Sequence, residues 1–206
     1  MPRDGYKVAN NRSRSEVLAL ETDRLRLSVL RKSEAPRVAD YFIRNREFHK
    51  QFAQTHTDDY FTVSMQKKYL AYDYESFLEG TLVPLWIISR ETGEIIGRVS
   101  FFNFAYGGMM SCACGYHLDK DHTGRGYMTE ALKGAMAFVF DEYKMHRIEA
   151  FILPENEASL NLVKRAGFHY EGQRISYMHI NGRYRDHEAF YILEDDVKNG
   201  EFKRSF

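Results

Sequence analysis

The sequence predicts a mixed α/β domain, one central sheet with helices on its faces. Three observations carry that prediction. Leu25, Leu27 and Val29 alternate with Arg24, Arg26 and Ser28, the period-two pattern of a half-buried strand, and similar short runs recur along the chain. Segments with helical apolar spacing are interleaved with them, in the order strand, two helices, three strands, helix, strand, helix, two strands. Asn181-Gly182 lies between two of the apolar runs and signals a closing hairpin.

The first strand region begins at Val17–Leu20. Ser33-Glu34-Ala35-Pro36 then opens a helix with Val38, Tyr41, Phe42 and Asn45 along one side, Ser33 being the expected cap. From Phe48 to Phe61 the chain reads as an irregular substrate-side loop. A helix over 64–78 follows, stopped by Gly80 and Pro84. Residues 83–90 and 95–104 are strands around Glu91-Thr92-Gly93-Glu94, and Gly107-Gly108 turns into a strand over 112–118. Residues 148–153 form the next strand, ending at Pro154. Asn156 caps a helix through Leu160, Val163 and Ala166, which Gly167 closes.

With 206 residues the chain has length for one well-buried core, expected over 17–194, after a polar leader over 1–16 and before a charged tail over 195–206. Lys plus Arg equals Asp plus Glu, 29 each, which argues against a nucleic-acid partner. No run reaches the roughly 18 apolar residues of a membrane span, and Met-Pro-Arg-Asp-Gly-Tyr-Lys lacks the apolar stretch of a secretory signal. Cys112 and Cys114 are the only cysteines. They suit neither a disulfide nor a zinc site, and read as buried thiols of a cytoplasmic protein without a metal.

The stretch from Cys112 to Val139 organises the rest. A strand enters a polar loop, Gly124 and Gly126 follow, and then a helix presents Met128, Leu132, Ala135 and Val139 on one face. A glycine-flanked helix start exposes backbone N–H groups and the positive end of the helix dipole, which suits a phosphate. Gly115 suggests a bulge in the strand, or else relief of crowding beside Tyr116.

Asp119-Lys-Asp-His-Thr-Gly-Arg-Gly-Tyr-Met-Thr-Glu-Ala-Leu132 resembles the acetyl-CoA loop of the GCN5-related N-acetyltransferases (GNAT). His146–Ala150, Pro154–Ser159, Arg165-Ala166-Gly167-Phe168 and Arg185-Asp186-His187 follow in the order found in that family, most closely in its RimJ/RimL group of ribosomal-protein alanine N-acetyltransferases. The resemblance covers residues 22–193 and implies a GNAT-like mixed, mostly antiparallel sheet flanked by helices. It implies transfer of an acetyl group from acetyl-CoA to a primary amine. The acceptor is a protein N-terminus or a small-molecule amine such as an antibiotic, polyamine or amino acid, and the protein a monomer or homodimer. A non-catalytic acyl-CoA-binding module is the competing expectation.

The resemblance also distributes roles. The diphosphate falls to the backbone from Gly124 to Met128, including Tyr127, with Arg125 as helper; Thr123 stands where many relatives carry a longer donor. The peptide-like pantetheine arm would pair with the edge of the strand holding Tyr116, His117 and Leu118, between two strands that splay apart. Asn156 reaches the cofactor as well as capping its helix. Ser159 takes the role of proton donor to the thiolate, because the position of the usual family tyrosine holds Val163. Glu149 is the expected base acting through a water, with His117 as runner-up. Asp58, Asp59, Asp73 and Glu75 would make an acidic groove mouth for a basic protein; Phe48, Phe52, Tyr60 and Phe61 would line a pocket for a small molecule.

Overall fold

The computed structural model describes residues 19–52 and 56–199. The expected leader, Val17 and the end of the tail lie outside them. Eight strands form one sheet: β1 (Ala19–Glu21), β2 (Leu25–Ser28), β3 (Val83–Ser89), β4 (Ile95–Ala105), β5 (Ser111–Leu118), β6 (Arg147–Ile152), β7 (His169–Ile180) and β8 (Arg183–Leu193). Their order across the sheet is β1-β2-β3-β4-β5-β6-β8-β7. Every neighbouring pair is antiparallel except β5 and β6. That pair is joined by a helix crossover, which a parallel connection requires.

The helices divide between the two faces. α1 (Ala35–His49) and α2 (Val63–Glu79) lie on one face, where Val38, Tyr41, Phe42 and Leu70 pack with Trp86 and Ile95. α3 (Tyr127–Tyr143) and α4 (Glu157–Arg165) cover the other. There Met128, Leu132, Ala135 and Val139 are buried among Leu27, Leu85, Ile148 and Ile192, the stripe anticipated from their spacing. Gly97 has no room for a side chain, since a Cβ there would stand 2.7 Å from the His117 carbonyl. Its absence lets β4 and β5 run close together beside the site.

Several local expectations change. Ser33 does not cap α1; it lies in a 3-10 turn, Lys32–Glu34, that leads into the helix, and Pro36 sits in the first helical turn where its missing N–H costs nothing. Gly80, left-handed at φ 74°, ends α2 alone. Pro84 is inside β3, tolerated because β2 stops opposite Trp86 and leaves that side of the proline without a ladder partner. The stretch after α1 is not wholly irregular, as Asp58–Phe61 forms a 3-10 turn; residues 53–55 are outside the described residues. Gly115 makes no bulge. It pairs regularly with Ser100, and a Cβ there would meet only the Phe102 ring, at an ordinary contact distance of 3.4 Å, so crowding beside Tyr116 does not explain it either. The charged stretch after Leu193 begins with a short helix, α5 (Glu194–Asn199), whose Val197 is buried in the core.

Asn181 (φ 51°) and Gly182 (φ 85°) both take left-handed conformations, the tight turn read from their sequence. The β7–β8 hairpin runs past the end of β6, whose last pair is Ile152 with Glu188. Its tip reaches α1: Asn181 Nδ2 donates to the Lys50 carbonyl at 3.4 Å, and Ile180 is buried.

Candidate functional site

β5 and β6 pair from Ser111–Arg147 to Cys114–Ala150 and then separate, although both continue. Beyond Cys114 the β4 side of β5 stays fully paired, through Gly97–Leu118. Among the described residues, the opposite edge, Gly115 to Leu118, has no strand beside it. This is the splay expected from the family resemblance, and it leaves backbone donors and acceptors for an extended ligand.

The glycine turn lies just beyond. Gly124 (φ 73°) and Gly126 (φ 79°) are both left-handed, a conformation in which a side chain costs strain. A Cβ on Gly124 would meet nothing within 4 Å, so the backbone conformation and not crowding demands glycine there. Among the described residues no side chain caps α3, which leaves its first-turn N–H groups for another acceptor. Met128 turns its side chain into the core, and the Thr123 hydroxyl is spent on the Lys120 carbonyl at 3.0 Å. What this corner presents is main chain, with Arg125 exposed at its rim.

Two braces that sequence reading missed hold the corner. Glu130, in the first turn of α3, accepts from the Thr22 hydroxyl (2.6 Å), the Arg24 N–H (2.9 Å) and Arg24 Nε (2.7 Å). Burial alone would push this carboxyl up, but those donors together hold it below its usual range. Arg24 also donates to the Arg125 carbonyl at 3.0 Å and covers the Tyr127 ring at 4.4 Å. On the other side, buried Asp119 accepts from Arg44 Nε (2.7 Å), Asn45 Nδ2 (2.9 Å) and the Asp121 N–H (2.9 Å). Burial opposes its charge, yet these bonds outweigh that and lower its pKa to about 2. Asn45 on an otherwise apolar helix face was the available signal, because a buried polar group needs a partner.

Asn156 caps α4 through the Ser159 N–H at 3.1 Å, as its spacing suggested. Ser159 is partly exposed, and its hydroxyl takes part in no hydrogen bond among the described residues. The Tyr116 hydroxyl reaches the Ser159 carbonyl at 3.5 Å, which sets β5 and the start of α4 on opposite sides of one opening. Burial, with Cys114 adding to it, raises the Tyr116 pKa, so its phenol stays protonated. Val163 is fully buried, so a family-type tyrosine hydroxyl has no counterpart at that position.

His117 points the other way, toward α1. Its Nδ1 is 2.7 Å from the Tyr41 hydroxyl, and its ring packs against Tyr41, Phe42, His49 and Trp86. Burial, then the neighbouring His49 and Arg98, lowers its pKa well below 6.5 and keeps it neutral. Glu149 is engaged by Arg147 Nε at 3.0 Å, and Arg174 lies 3.9 Å from the same oxygen. Of the four acidic residues expected at a groove mouth, Asp73 is buried against Arg98 at 3.0 Å and Asp58 pairs with Arg46 at 2.6 Å, while Asp59 and Glu75 are exposed. Tyr60 packs edge-on to Phe42, in the small core under α1. Both cysteine thiols are buried, and burial raises Cys114 to about 12.

Residues 24–169 match the model of the acetyltransferase (GNAT) domain family. A probable N-acetyltransferase, YjcK, of Bacillus subtilis is 38% identical over 152 residues, 74% of this chain and 84% of its own length. The ribosomal protein uS5-alanine N-acetyltransferase of Escherichia coli is 32% identical over 189 residues, 92% of this chain and 97% of its own. The crystal structure of the ribosomal-protein-S5-alanine acetyltransferase of Vibrio fischeri superposes with a TM-score of 0.82 at 27% identity, over 87% of this chain and 98% of that one. With a splayed strand pair beside an uncapped glycine turn, the chain belongs to the GNAT family, in its RimJ/RimL group, and is an acetyl-CoA-dependent N-acetyltransferase.

Proposed function

We propose that the acceptor is the N-terminal α-amine of a protein, such as a ribosomal protein beginning with Ala or Ser. The observation that carries the site assignment is the end of β5–β6 pairing at Cys114–Ala150, beside the uncapped start of α3. The support for a protein acceptor is the near full-length similarity to an enzyme named for alanine acetylation of uS5.

In this reading the N–H groups from Gly124 to Met128 hold the diphosphate of acetyl-CoA, with Arg125 at the rim. The pantetheine arm lies along the free edge of β5 at Tyr116, His117 and Leu118, with Asn156 facing it from α4. The thioester then sits in the gap between β5 and β6. The amine enters from the face of Phe151 and the β7–β8 hairpin, and its nitrogen attacks the acetyl carbon. As the tetrahedral intermediate collapses, the carbon–sulfur bond breaks and the thiolate takes a proton from the Ser159 hydroxyl. The amine's surplus proton leaves to water, through which Ser159 is reprotonated.

Energetics favour an α-amine. At pH 7, deprotonating a lysine of pKa about 10.4 costs roughly 4.6 kcal/mol, against about 1.1 kcal/mol for an α-amine near 7.8. Glu149, the carboxylate nearest the gap on β6, is committed to Arg147 and Arg174 and is better suited to organising that face than to stripping a lysine. The test is mass spectrometry of synthetic peptides beginning with Ala or Ser, and of spermidine, each incubated with the protein and acetyl-CoA. Acetylation at the peptide α-amine is expected; transfer to spermidine alone would overturn the protein-acceptor reading.

A further inference from the structure

The Arg185-Asp186-His187 run has a structural consequence that the chemistry above does not use. β7 and β8 lose register between Arg174–His187 and Met178–Arg185. Ile175, Ser176 and Tyr177 therefore stand opposite Asp186 alone, a bulge of two extra residues. Ser176 is left-handed at φ 48°, an uncommon state for serine. The Asp186 carboxylate accepts the Ser176 N–H at 2.7 Å and so holds the strained residue in place. Next to it Arg185 pairs with Glu155, which ties the hairpin, three residues past its Asn181-Gly182 turn, to the loop between β6 and α4.

The bulge decides where Tyr177 goes. Its ring lies 4.8 Å from Phe151, the first β6 residue past the end of β5–β6 pairing, and 5.7 Å from the ring of buried His187. Arg174 covers both aromatic rings, at 4.2 Å from Phe151 and 5.0 Å from Tyr177. A cavity of about 330 Å³ opens next to Asp186, between Pro154 and Glu155 on one side and Arg183 to Asp186 on the other. Phe151, Tyr177 and Arg174 thus gather where β6 runs on past the last β5–β6 pair, Cys114 with Ala150.

We propose that Asp186 is a positioning residue for the acceptor: by pinning the β7 bulge it sets Tyr177 and Arg174 as the wall that aligns the segment following the reactive amine. This rests on the reading that the amine enters from that face. Without the carboxylate the Ser176 backbone is free to leave its strained conformation, and Tyr177 loses its fixed distance from Phe151. Acetyl-CoA binding, on the far side of the gap, does not depend on it.

The experiment is steady-state kinetics of the full chain on a synthetic peptide beginning with Ala, varying peptide and acetyl-CoA separately. Asp186→Ala should raise the peptide KM about fivefold or more with the acetyl-CoA KM unchanged. Asp186→Asn, which keeps the accepting oxygen, should restore most of the loss. Tyr177→Ala should shift the peptide KM alike, and the double variant should be no worse than either single one, as expected of residues acting as one unit. An unchanged peptide KM in Asp186→Ala, a parallel rise of both KM values, or an Asp186→Asn variant as defective as the alanine would overturn the proposal. A wild-type protein that transfers nothing to the peptide overturns the acceptor reading, and this proposal with it.

Discussion

The two sides of the gap are built by different means. The side proposed for the cofactor is main chain: an uncapped helix start, two left-handed glycines and a bare strand edge, braced from behind by Thr22, Arg24 and Glu130 and from the flank by Asp119. The side proposed for the acceptor is side chain: Phe151, Arg174, Tyr177 and Glu149, brought together from two strands by ring contacts and ion pairs. A phosphate is the same in every acetyl-CoA, and backbone amides recognise it whatever the residue type. An acceptor varies, and a wall of exchangeable side chains lets one sheet serve different amines.

If that division is right, substitutions should separate cleanly by substrate. The largest effect is expected where the sides meet. Ser159→Ala should lower kcat about 100-fold, the usual scale for a lost general acid, with little change in acetyl-CoA affinity measured by calorimetry. Equal kcat in the variant would remove Ser159 from the reaction. The second effect is on stability. Asp119, held at about 2 in the fold, has a pKa near 3.9 when unfolded. Its native-state pKa is depressed, so its contribution is complete above about pH 4 and lost as pH falls toward 2, at most about 2 kcal/mol. Urea midpoints at pH 7 and pH 2.5 should differ more for wild type than for Asp119→Asn; equal differences would mean that the carboxylate's bonds add nothing.

The third test concerns the glycine turn. Gly126→Val places a β-branched residue at φ 79°, where it both strains the turn and covers the amides. The acetyl-CoA KM should rise about tenfold or more, while the peptide KM holds. A variant with normal acetyl-CoA KM would show that the turn does not seat the phosphates.

The same division explains what could be read in the sequence. Main-chain features leave strong local marks: the Met128-to-Val139 stripe, the Asn156 cap and the Asn181-Gly182 turn all appear where their spacing put them. Gly124 and Gly126 announce a left-handed turn because few other residues tolerate one. The acceptor side carries no such marks. Nothing in the order Arg174-Ile175-Ser176-Tyr177 reveals that a bulge turns Tyr177 onto Phe151, nor does the spacing of Asp58 and Asp73, two of the four acidic residues read as a groove mouth, reveal that Arg46 and Arg98 pair with them. Thr22, Arg24 and Glu130 were equally opaque, since more than 100 residues separate the partners.

The smallest effect is expected at Glu149, and it sharpens the comparison most. On β6 it pairs with Ala113 of β5 and Tyr191 of β8, one step before the strands part, so its position suits a base. Its partners argue otherwise. Arg147 Nε is 3.0 Å away, and Arg147 also bonds to Glu171 and lies over Tyr191, which makes Glu149 one member of a wider charged and aromatic lattice. If it organises that lattice, Glu149→Gln keeps an oxygen for Arg147 and should lower kcat less than about threefold, with a pH profile governed by the α-amine. If it takes the proton, kcat should fall as far as in Ser159→Ala and the acidic limb of the profile should disappear. Measuring kcat from pH 5 to 9 for both variants therefore tells a side-chain wall from a catalytic one.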